Sequence, residues 1–385
     1  MTDLLAVARG DRVHVEDDDV VRAASSEGLL GLLARAATNP VRELQIQAIT
    51  IEAYSAFMAG ELARIAGVFT ERNVPLIAFK GPVLSQQLYG HAGLRSFSDL
   101  DVLVAPASAD AGEELLRELG YREHEPLTAP ARRTNRRFSG ETLYVHYEQR
   151  VLIDFHTLFS NEQFPLRLSF DDVWRRRTEV VIDGMRIPSL GDADLVVVTC
   201  SHAAKHLWHK LEFLAQIAAL AKKQPDWNEV DRIAVDARAA RQVGLSFLLA
   251  RDLLGIDTPP LPRCLAAASP HLERVKRIIG ARHDATGRDL FLLLDRRRDA
   301  LRALALAIFV PTHTDWRGSK LPAQMQWVVR PFRLLCRTGA LACRSLLRGR
   351  TGSRTGGTGE GACPTPRRPG APDSRGARAG TSRDY

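Results

Sequence analysis

Residues 76–104 read LIAFKGPVLSQQLYGHAGLRSFSDLDVLV, and this stretch decides the fold. It begins and ends with short apolar runs, 76–79 and 99–104, which predict two β-strands. A proline stands near the start of the intervening segment and a glycine near its end, as is usual for a helix, so residues 82–89 are predicted to be helical. The stretch therefore predicts a strand–helix–strand unit whose second strand opens with acids.

Asp99 and Asp101 lie two residues apart in that strand. Residues i and i+2 of a strand point to one face, so both carboxylates project together while Leu100, Val102 and Val104 pack the core on the other face. Two adjacent carboxylates without partners repel each other. A divalent cation would remove that repulsion, and Mg²⁺ is typically held by one or two carboxylates together with substrate phosphates.

A third acid, Asp154, lies in the apolar run VLIDFHTL at 151–158. Aspartate is rarely buried without a partner, so its place in a strand is unusual. If this strand lies beside 99–104, the three carboxylates converge. They could then hold two Mg²⁺ ions about 3.5–4 Å apart, as in in-line phosphoryl displacement, and Asp154 would orient or deprotonate the attacking group. The alternative is a surface turn with solvated aspartates.

A second Asp-x-Asp pattern provides an internal comparison. Asp192 and Asp194 lie in SLGDADLVVV, which is predicted to be a loop leading into a helix. Aspartate at that place is a natural N-cap or first-turn residue that complements the helix dipole. We therefore predict no chemistry for this pair.

Basic and hydroxyl residues surround the first pattern. Lys80 and Gly81 end the first strand just before a helix N-terminus, where backbone N–H groups favour a triphosphate. Arg95 has two interpretations: it neutralises charge on a transferring phosphoryl group, or it holds Asp99 or Asp101 in place. Ser98 is a candidate cofactor-binding residue, although local hydrogen bonding is the favoured interpretation, as is common for serine.

The segment SHAAKHLWHK places His202 and His206 one helical turn apart. It lacks the glutamate of HExxH and an evident third ligand, so packing against the αβ block is favoured over a zinc site. The alternative is that Lys205 and His206 face the cleft and contact phosphate or acceptor.

The remaining pattern predicts helices followed by a mixed block and a helical block. Helices are predicted at 18–37, 41–72, 109–119, 194–222, 228–255, 269–279 and 287–309. Two hairpins are predicted, at 142–149 with 151–158 and at 179–182 with 185–187, the second around an Asp-Gly turn.

Composition sets broad limits on the 385-residue chain. Five scattered cysteines without CxxC spacing argue against a disulfide framework or a zinc knuckle, and the N-terminus lacks a signal-peptide pattern, so a cytoplasmic location is predicted. There is no apolar run long enough for a transmembrane segment.

The net charge of +8 comes mostly from residues 344–385, which hold nine arginines and three acids. The body is nearly neutral, which does not indicate nucleic-acid binding.

These motifs together resemble a known family. The order KG(x)₁₃R(x)₃DLDVLV, an IDFH strand about fifty residues later and then HAAKHLW are similar to the uncharacterised nucleotidyltransferase-like family of the polymerase-beta-type nucleotidyltransferase superfamily. Its members often occur in bacterial exopolysaccharide and lasso-peptide biosynthetic gene clusters. The abortive-infection nucleotidyltransferase toxins look like more distant relatives. The resemblance runs from about residue 40 to about residue 310.

The resemblance implies an α+β fold, with a nucleotidyltransferase-type mixed sheet flanked by helices. The order of the predicted elements divides the chain into an N-terminal helical segment at 1–72, an αβ core at 73–190 and a C-terminal helical domain at 191–349. Residues 350–385 are rich in Gly, Pro and Arg and are predicted to be disordered.

The resemblance also implies roles for individual residues. Asp99 and Asp101 become the metal pair for Mg²⁺ or Mn²⁺, and Asp154 becomes the third carboxylate and metal ligand. Lys80 and Arg95 become groups on the phosphate side.

The same resemblance places Lys205, His206 and Trp208 in the family's helical segment without assigning them roles. One departure concerns the phosphate side. Better-known superfamily members carry Gly-Ser at the start of the helix after the first strand, where this chain has Lys80 and Gly81.

The function that these observations predict is Mg²⁺-dependent nucleotidyl transfer. A nucleoside monophosphate would move from an NTP, such as ATP, to an acceptor, and pyrophosphate would be released. The acceptor would be a sugar, a peptide, a protein or a tRNA end. The alternative is a non-catalytic module that keeps the fold and binds a nucleotide or a partner.

The C-terminal segment WVVRPFRLLCRTGALACRSLLRGR, 327–350, has two interpretations. It is an amphipathic basic helix that makes peripheral contact with an anionic membrane, or a terminal helix packed on the body. The arginine-rich tail that follows also leaves RNA binding open.

Overall fold

The computed structural model describes residues 2–280, 287–316, 321–322 and 325–335, without the side chains of 287, 288 and 313. The described residues up to Leu334 belong to one compact unit. The predicted disorder of 350–385 and most of the segment 327–350 lie outside the described residues, and 325–335 is helical. The division of the chain at 72, 190 and 349 stays a prediction.

Four helices come first, helices and strands are mixed between Leu76 and Ser189, and the described residues that follow form only helices. The helices are α1 (Thr2–Arg9), α2 (Asp18–Ser26), α3 (Leu30–Ala36), α4 (Arg42–Glu71), α5 (Gly81–Tyr89), α6 (Ala109–Glu118), α7 (Ala129–Phe138), α8 (Phe170–Arg176), α9 (Asp192–Lys205), α10 (Leu211–Lys223), α11 (Trp227–Asp236), α12 (Ala240–Leu254), α13 (Pro262–Ala268), α14 (Leu272–Gly280), α15 (Gly287–Phe291), α16 (Arg297–Phe309) and α17 (His313–Trp316). The strands are β1 (Leu76–Ala78), β2 (Leu100–Val104), β3 (Arg122–Glu123), β4 (Glu141–His146), β5 (Val151–His156), β6 (Thr178–Ile182) and β7 (Met185–Ser189).

The strands form a seven-stranded mixed sheet in the order β3-β4-β5-β2-β1-β7-β6. Strand β2 is central, antiparallel to β1 and parallel to β5. The hairpins β4–β5 and β6–β7 are antiparallel. The α+β fold with a mixed sheet flanked by helices is confirmed.

Alternate residues of the central strands enter two different apolar clusters. Leu100, Val102 and Val104 join the cluster that contains the second half of α4, as the alternation predicts. Leu103 joins the larger cluster that contains helices α9 to α12. Because side chains two residues apart share a face, Asp101 points to the same side of the sheet as Leu103. Asp101 of β2 therefore faces the helical half of the chain.

The predicted hairpins form, and the second one turns at Asp183 and Gly184. Both residues have positive φ, of 49° and 76°, which a tight two-residue hairpin turn requires. The prediction of a strand at 99–104 differs by one residue, because β2 begins at Leu100.

Four helices predicted as continuous are wrong, and one of them, 287–309, divides into α15 and α16. The segment 194–222 divides into α9 and α10 because Leu207 and Trp208 adopt left-handed backbone with φ of 49° and 46°. The segments 18–37 and 228–255 also divide into two helices each. Apolar spacing continues through these breaks, so periodicity alone does not locate them.

Cys200 and Cys264 are free and buried. Within the described chain, no helix has the length and apolar character needed to cross a membrane.

Candidate active site

Two parallel strands bring acids from distant parts of the chain together. The register of β2 against β5 pairs Asp101 directly with Asp154, and His156 lies two residues further along the same face. Ligand atoms of these three side chains all lie within 4.8 Å of one another. Among the described residues, this is the one group of three His, Cys, Asp or Glu side chains with that spacing. We call Asp99, Asp101, Asp154 and His156 the acid cluster.

Asp101 is the anchored member of the acid cluster. It is 4% exposed, and its Oδ1 accepts a hydrogen bond from Lys80 Nζ at 2.6 Å and lies 3.1 Å from His156 Nε2. Burial alone would raise the pKa of Asp101, but Lys80 and His156 outweigh burial and hold the pKa far below its usual range. Asp101 is therefore ionised at any physiological pH.

Asp99 and Asp154 are held differently. Their side chains are hydrogen-bonded to each other, and within the described chain neither forms an ion pair with a lysine or arginine. Burial raises the pKa of Asp99, and the charge of Asp101 raises it further. Burial, followed by the charges of Glu141 and Asp101, raises the pKa of Asp154 to about 8. Nearby positive charges do not offset these effects at Asp154, whose pKa stays raised, which is the electrostatic situation that a bound cation relieves.

The family of the chain follows from its sequence profile. The profile of the family described as uncharacterised nucleotidyltransferase matches residues 14–255, well over half of the chain. The chain belongs to this family. The matched range contains the entire acid cluster, together with Lys80.

Two solved structures have low sequence identity and low structural similarity to this chain. The solution structure of the antibiotic-resistance factor ANT(2″)-Ia has 16% identity and a TM-score of 0.35, covering 47% of this chain and 91% of that chain. The crystal structure of ANT(2″)-Ia in complex with adenylyl-2″-tobramycin has 16% identity and a TM-score of 0.32, covering 47% of this chain and 97% of that chain. Similarity of this size does not establish a shared activity. No curated protein has significant similarity to the chain.

In this nucleotidyltransferase-family chain, Lys80 and Gly81 connect β1 to α5. Lys80 is the N-cap residue of α5, and its ammonium points to Asp101. Burial would lower the pKa of Lys80, but the Asp101 carboxylate outweighs burial and raises it. Gly81 has a φ of +55°, and a Cβ there would lie 3.3 Å from the Asp99 carbonyl oxygen. A glycine at this position lets the helix start close against the acid-bearing segment.

Arg95 has a direct partner that the sequence did not indicate. Its Nε lies 2.8 Å from Glu212 Oε1 at the start of α10, and both side chains are largely buried. This contact is an ion pair whose Nε orientation does not make it a hydrogen bond. Arg95 therefore binds the helical half of the chain directly, and it acts on Asp99 only through its charge, which lowers the Asp99 pKa.

Lys205 is the last residue of α9 and interacts electrostatically with nearby acids. Burial lowers the pKa of its ammonium, while the charges of Glu141, Asp101 and Asp154 oppose that change. These interactions place a second lysine within electrostatic reach of the acid cluster, on the side that carries Glu141.

The histidines after Lys205 pack together. The rings of His202 and His206 are 4.7 Å apart, and the His206 ring stacks on Phe213 at 5.7 Å with an interplanar angle of 8°. Burial, reinforced by the nearby charge of Lys80, holds the pKa of His202 well below its usual value. His202 and His206 therefore pack on each other and on Phe213 of α10, while their predicted packing against the αβ block and the role of His206 in substrate binding stay predictions.

Ser98 stands at the surface just before the acids. Its carbonyl oxygen accepts a hydrogen bond from the Tyr54 hydroxyl at 3.3 Å, which ties the segment before β2 to α4. The predicted contact of the Ser98 side chain with a ligand stays a prediction.

Two residues near the acid cluster were missed by the sequence reasoning. His156 follows Asp154 by two residues, so strand alternation alone would have placed it on the same face. Glu141 comes from β4, where it is in register with His156, and its Oε2 lies 4.0 Å from His156 Nδ1. No local signal marks Glu141, because its position depends on the pairing of β4 with β5.

Proposed function

We propose that this chain is a Mg²⁺-dependent nucleotidyltransferase that moves a nucleoside monophosphate from an NTP to an acceptor and releases pyrophosphate. The observation that carries the proposal is the acid cluster, in which Asp101, Asp154 and His156 converge and Asp99 joins through Asp154. It lies within a family of nucleotidyltransferases.

The donor set of the acid cluster suits a hard divalent cation. Three carboxylates dominate it, two of them without a basic partner among the described residues. Carboxylate oxygens are the ligands that Mg²⁺ and Mn²⁺ prefer. Asp99, Asp101 and Asp154 would hold the ion, and His156 would orient Asp101 through the contact at Oδ1. When bound, the metal would neutralise charge on the transferring phosphoryl group and position the reacting oxygens.

The basic groups around the acid cluster suit the phosphates of the NTP. The N-terminus of α5 presents free backbone N–H groups beside Lys80 and Gly81, and Lys205 brings a second ammonium. Lys80 is paired with Asp101, so its charge is fixed in place before the NTP binds. The role of Arg95 is to hold the loop before β2 against α10 and to add positive potential near Asp99.

Asp154 is the residue that we assign to the acceptor. It has a raised pKa and no basic partner in the described chain, so it can accept a proton from an attacking hydroxyl more readily than Asp101, whose pKa is held low. Asp101 stays ionised and serves charge stabilisation instead.

The test is a turnover assay with each of four NTPs labelled at the α-phosphate, incubated with cell extract and with Mg²⁺, Mn²⁺ or EDTA. We expect labelled product and pyrophosphate with Mg²⁺, none with EDTA, and none from Asp154→Asn with Mg²⁺. Asp192→Asn is the matched control, because Asp192 lies at the surface in the other Asp-x-Asp pattern. Equal labelling by wild type and Asp154→Asn would refute the proposed role of the acid cluster.

Calorimetry separates catalysis from the binding-module alternative. Mg²⁺-dependent NTP binding without any pyrophosphate release, across all four NTPs and the extract, would favour the module and contradict the transferase.

A further inference from the structure

The helix at 325–335 has a buried face and an exposed apolar face. Arg330 is 9% exposed, and its Nε and Nη2 donate hydrogen bonds to the Ala307 carbonyl of α16 at 3.2 and 2.9 Å. Met325, Val328 and Phe332 lie on the opposite side of the helix, since each residue turns it by about 100°. These three side chains are 49%, 65% and 64% exposed. We call Met325, Val328 and Phe332 the terminal row.

Exposed apolar side chains are concentrated in this part of the chain. Leu301 and Leu304 of α16 are exposed as well, at 68% and 43%. Of the sixteen large apolar side chains exposed in the described residues, seven lie between 301 and 332. Soluble proteins rarely collect so much apolar surface in one short segment without a partner for it.

The net charge of the sequence changes sign just before the same segment. Residues 1–295 contain 35 Lys and Arg and 40 Asp and Glu, a net charge of −5. Residues 296–385 contain 18 Lys and Arg and 5 Asp and Glu, a net charge of +13. Ten of these arginines and three of the acids belong to 336–385, directly after the helix that carries the terminal row. Such an asymmetry of charge predicts an anionic partner for this end of the sequence.

The terminal row and the basic sequence after it together select an anionic lipid surface. Such a surface has an apolar layer that takes up Val328 and Phe332, and a layer of negative headgroups that attracts arginine. A nucleic acid also attracts arginine, but its phosphate backbone offers nothing to an apolar row. The exposed Ile49 of α4 provides the contrast, because acids of its own helix, such as Glu52, would be repelled by anionic lipid.

We propose that the terminal row docks on an anionic lipid membrane and that the arginines of 336–385 strengthen the contact. The eleven residues of the helix at 325–335 extend about 16 Å, well short of the ~30 Å hydrocarbon layer, so the helix lies in the plane of the surface. The hydrogen bonds of Arg330 stay in place, because they lie on the other face of the helix. This docking does not depend on the proposed nucleotidyl transfer.

Vesicle sedimentation tests the proposal with the full chain. The probes are vesicles of neutral phosphatidylcholine and vesicles in which about a third of the lipid is anionic phosphatidylglycerol. We expect wild type to bind the anionic vesicles at least about tenfold more tightly, and this preference should disappear as salt is raised. Val328→Asp should lower the partition coefficient on anionic vesicles by about tenfold, because it puts a charge into the apolar contact.

Two further variants separate the contributions. Ile49→Asp is the matched control, because Ile49 is 68% exposed where Val328 is 65% exposed, and the change of net charge is the same. It should bind as wild type does, and circular dichroism should show both aspartate variants to be folded. A full-length variant with Arg344→Gln, Arg348→Gln and Arg350→Gln should lose about tenfold or more, and its remaining binding should depend less on salt.

Four results would overturn the proposal. Wild type that binds neither kind of vesicle would do so, as would anionic binding that Val328→Asp leaves unchanged. Retention of RNA on a filter that requires Arg344, Arg348 and Arg350, without vesicle binding, would assign the basic sequence to nucleic acid. Light scattering that shows a wild-type dimer and a monomeric Val328→Asp variant, again without vesicle binding, would assign the terminal row to a second copy of the chain.

Discussion

The same Asp-x-Asp pattern occurs twice in this chain, at 99–101 and 192–194, and the fold uses it in opposite ways. In the first turn of α9, Asp194 is 1% exposed and accepts two hydrogen bonds from Arg176, at 2.9 and 2.8 Å. Asp192 lies 3.3 Å from Lys223. Each carboxylate of this pair therefore has its own basic partner, and the pair joins α9 to neighbouring elements.

The Asp-x-Asp pattern at 99–101 lies in a group with more acidic side chains than basic ones. Asp101 has Lys80, but Asp99 and Asp154 share a hydrogen bond and have no basic partner in the described chain. Paired acids contribute to stability, whereas an uncompensated acid in a buried place costs stability and persists where it serves a function. The comparison teaches that the arrangement of counter-charges, and not the spacing, separates the two patterns.

The largest expected effect is on turnover. Asp101→Asn should lower kcat by about 10³-fold, or about 4 kcal/mol, because it removes the one carboxylate that is ionised at every physiological pH. Single-turnover labelling with the NTP found active in the screen measures this change. Asp194→Asn, corrected for the fraction folded, should keep wild-type kcat.

A similar loss of kcat in folded Asp194→Asn would contradict this distinction, since Asp192 and Asp194 would then also take part in the chemistry. Because Asp101→Asn also leaves Lys80 without its partner, circular dichroism should first show that this variant is folded.

The second effect is on stability, and here we expect the larger loss for the α9 pair. Asp194→Ala should lower the free energy of unfolding by about 3 kcal/mol, because it leaves the Arg176 guanidinium without its buried partner. Denaturant titration measures the change. Asp192→Ala should cost less than about 0.5 kcal/mol, as expected for a surface position. Equal losses for the two variants would show that Asp194 is not the structural member of its pair.

The third effect distinguishes the acid cluster by its response to metal. Mg²⁺ at about 100 times its dissociation constant should stabilise wild type by about 2.7 kcal/mol, because it binds the folded chain. Asp154→Asn should lose most of this gain. Above pH 8, where the Asp154 carboxyl is ionised, the metal-free variant should unfold at a higher temperature than metal-free wild type, since one of the mutually repelling charges is gone. Thermal unfolding with Mg²⁺ and with EDTA tests both parts. A lower unfolding temperature for metal-free Asp154→Asn would mean that Asp154 is a structural acid like Asp194.

The smallest expected effect is on the pH dependence of stability, and it concerns Glu61 of α4. Burial would raise the pKa of Glu61, but hydrogen bonds from Arg64 and Tyr121 outweigh burial and lower it. Because the folded-state pKa lies below the unfolded value of 4.5, Glu61 adds stability above that pH and loses this contribution as pH falls through the folded pKa. Unfolding free energy of Glu61→Gln should therefore change less between neutral pH and acid than that of wild type. Identical pH profiles would show that Glu61 contributes nothing by ionisation.

Much of the fold could be predicted from local pattern. The strands at 76–79 and 151–158, the helix at 41–72 and the Asp-Gly hairpin all form, because apolar alternation, helical periodicity and turn residues act over a few positions. The breaks within 194–222 and 228–255 could not be predicted, because they depend on left-handed residues such as Trp208, whose indole donates to Ser246 in another helix. That contact stabilises a backbone conformation that local preference disfavours.

For the acid cluster, the sequence indicated which carboxylates are unusual but not their partners. Alternation placed Asp99 and Asp101 together, and the apolar surroundings marked Asp154. The pairing of Arg95 with Glu212 and the approach of Glu141 join residues that are far apart in the chain, so no spacing rule reveals them.

The sequence by itself determined the strand that carries Asp99 and Asp101 and the family to which the chain belongs. Only the tertiary structure decided that Asp101 is held by Lys80 and His156, while Asp154 forms no ion pair with a lysine or arginine of the described residues. The physical reason is that the face to which a side chain points follows from the alternation of its own strand, whereas the charge that meets it depends on strand register and helix packing across the whole chain.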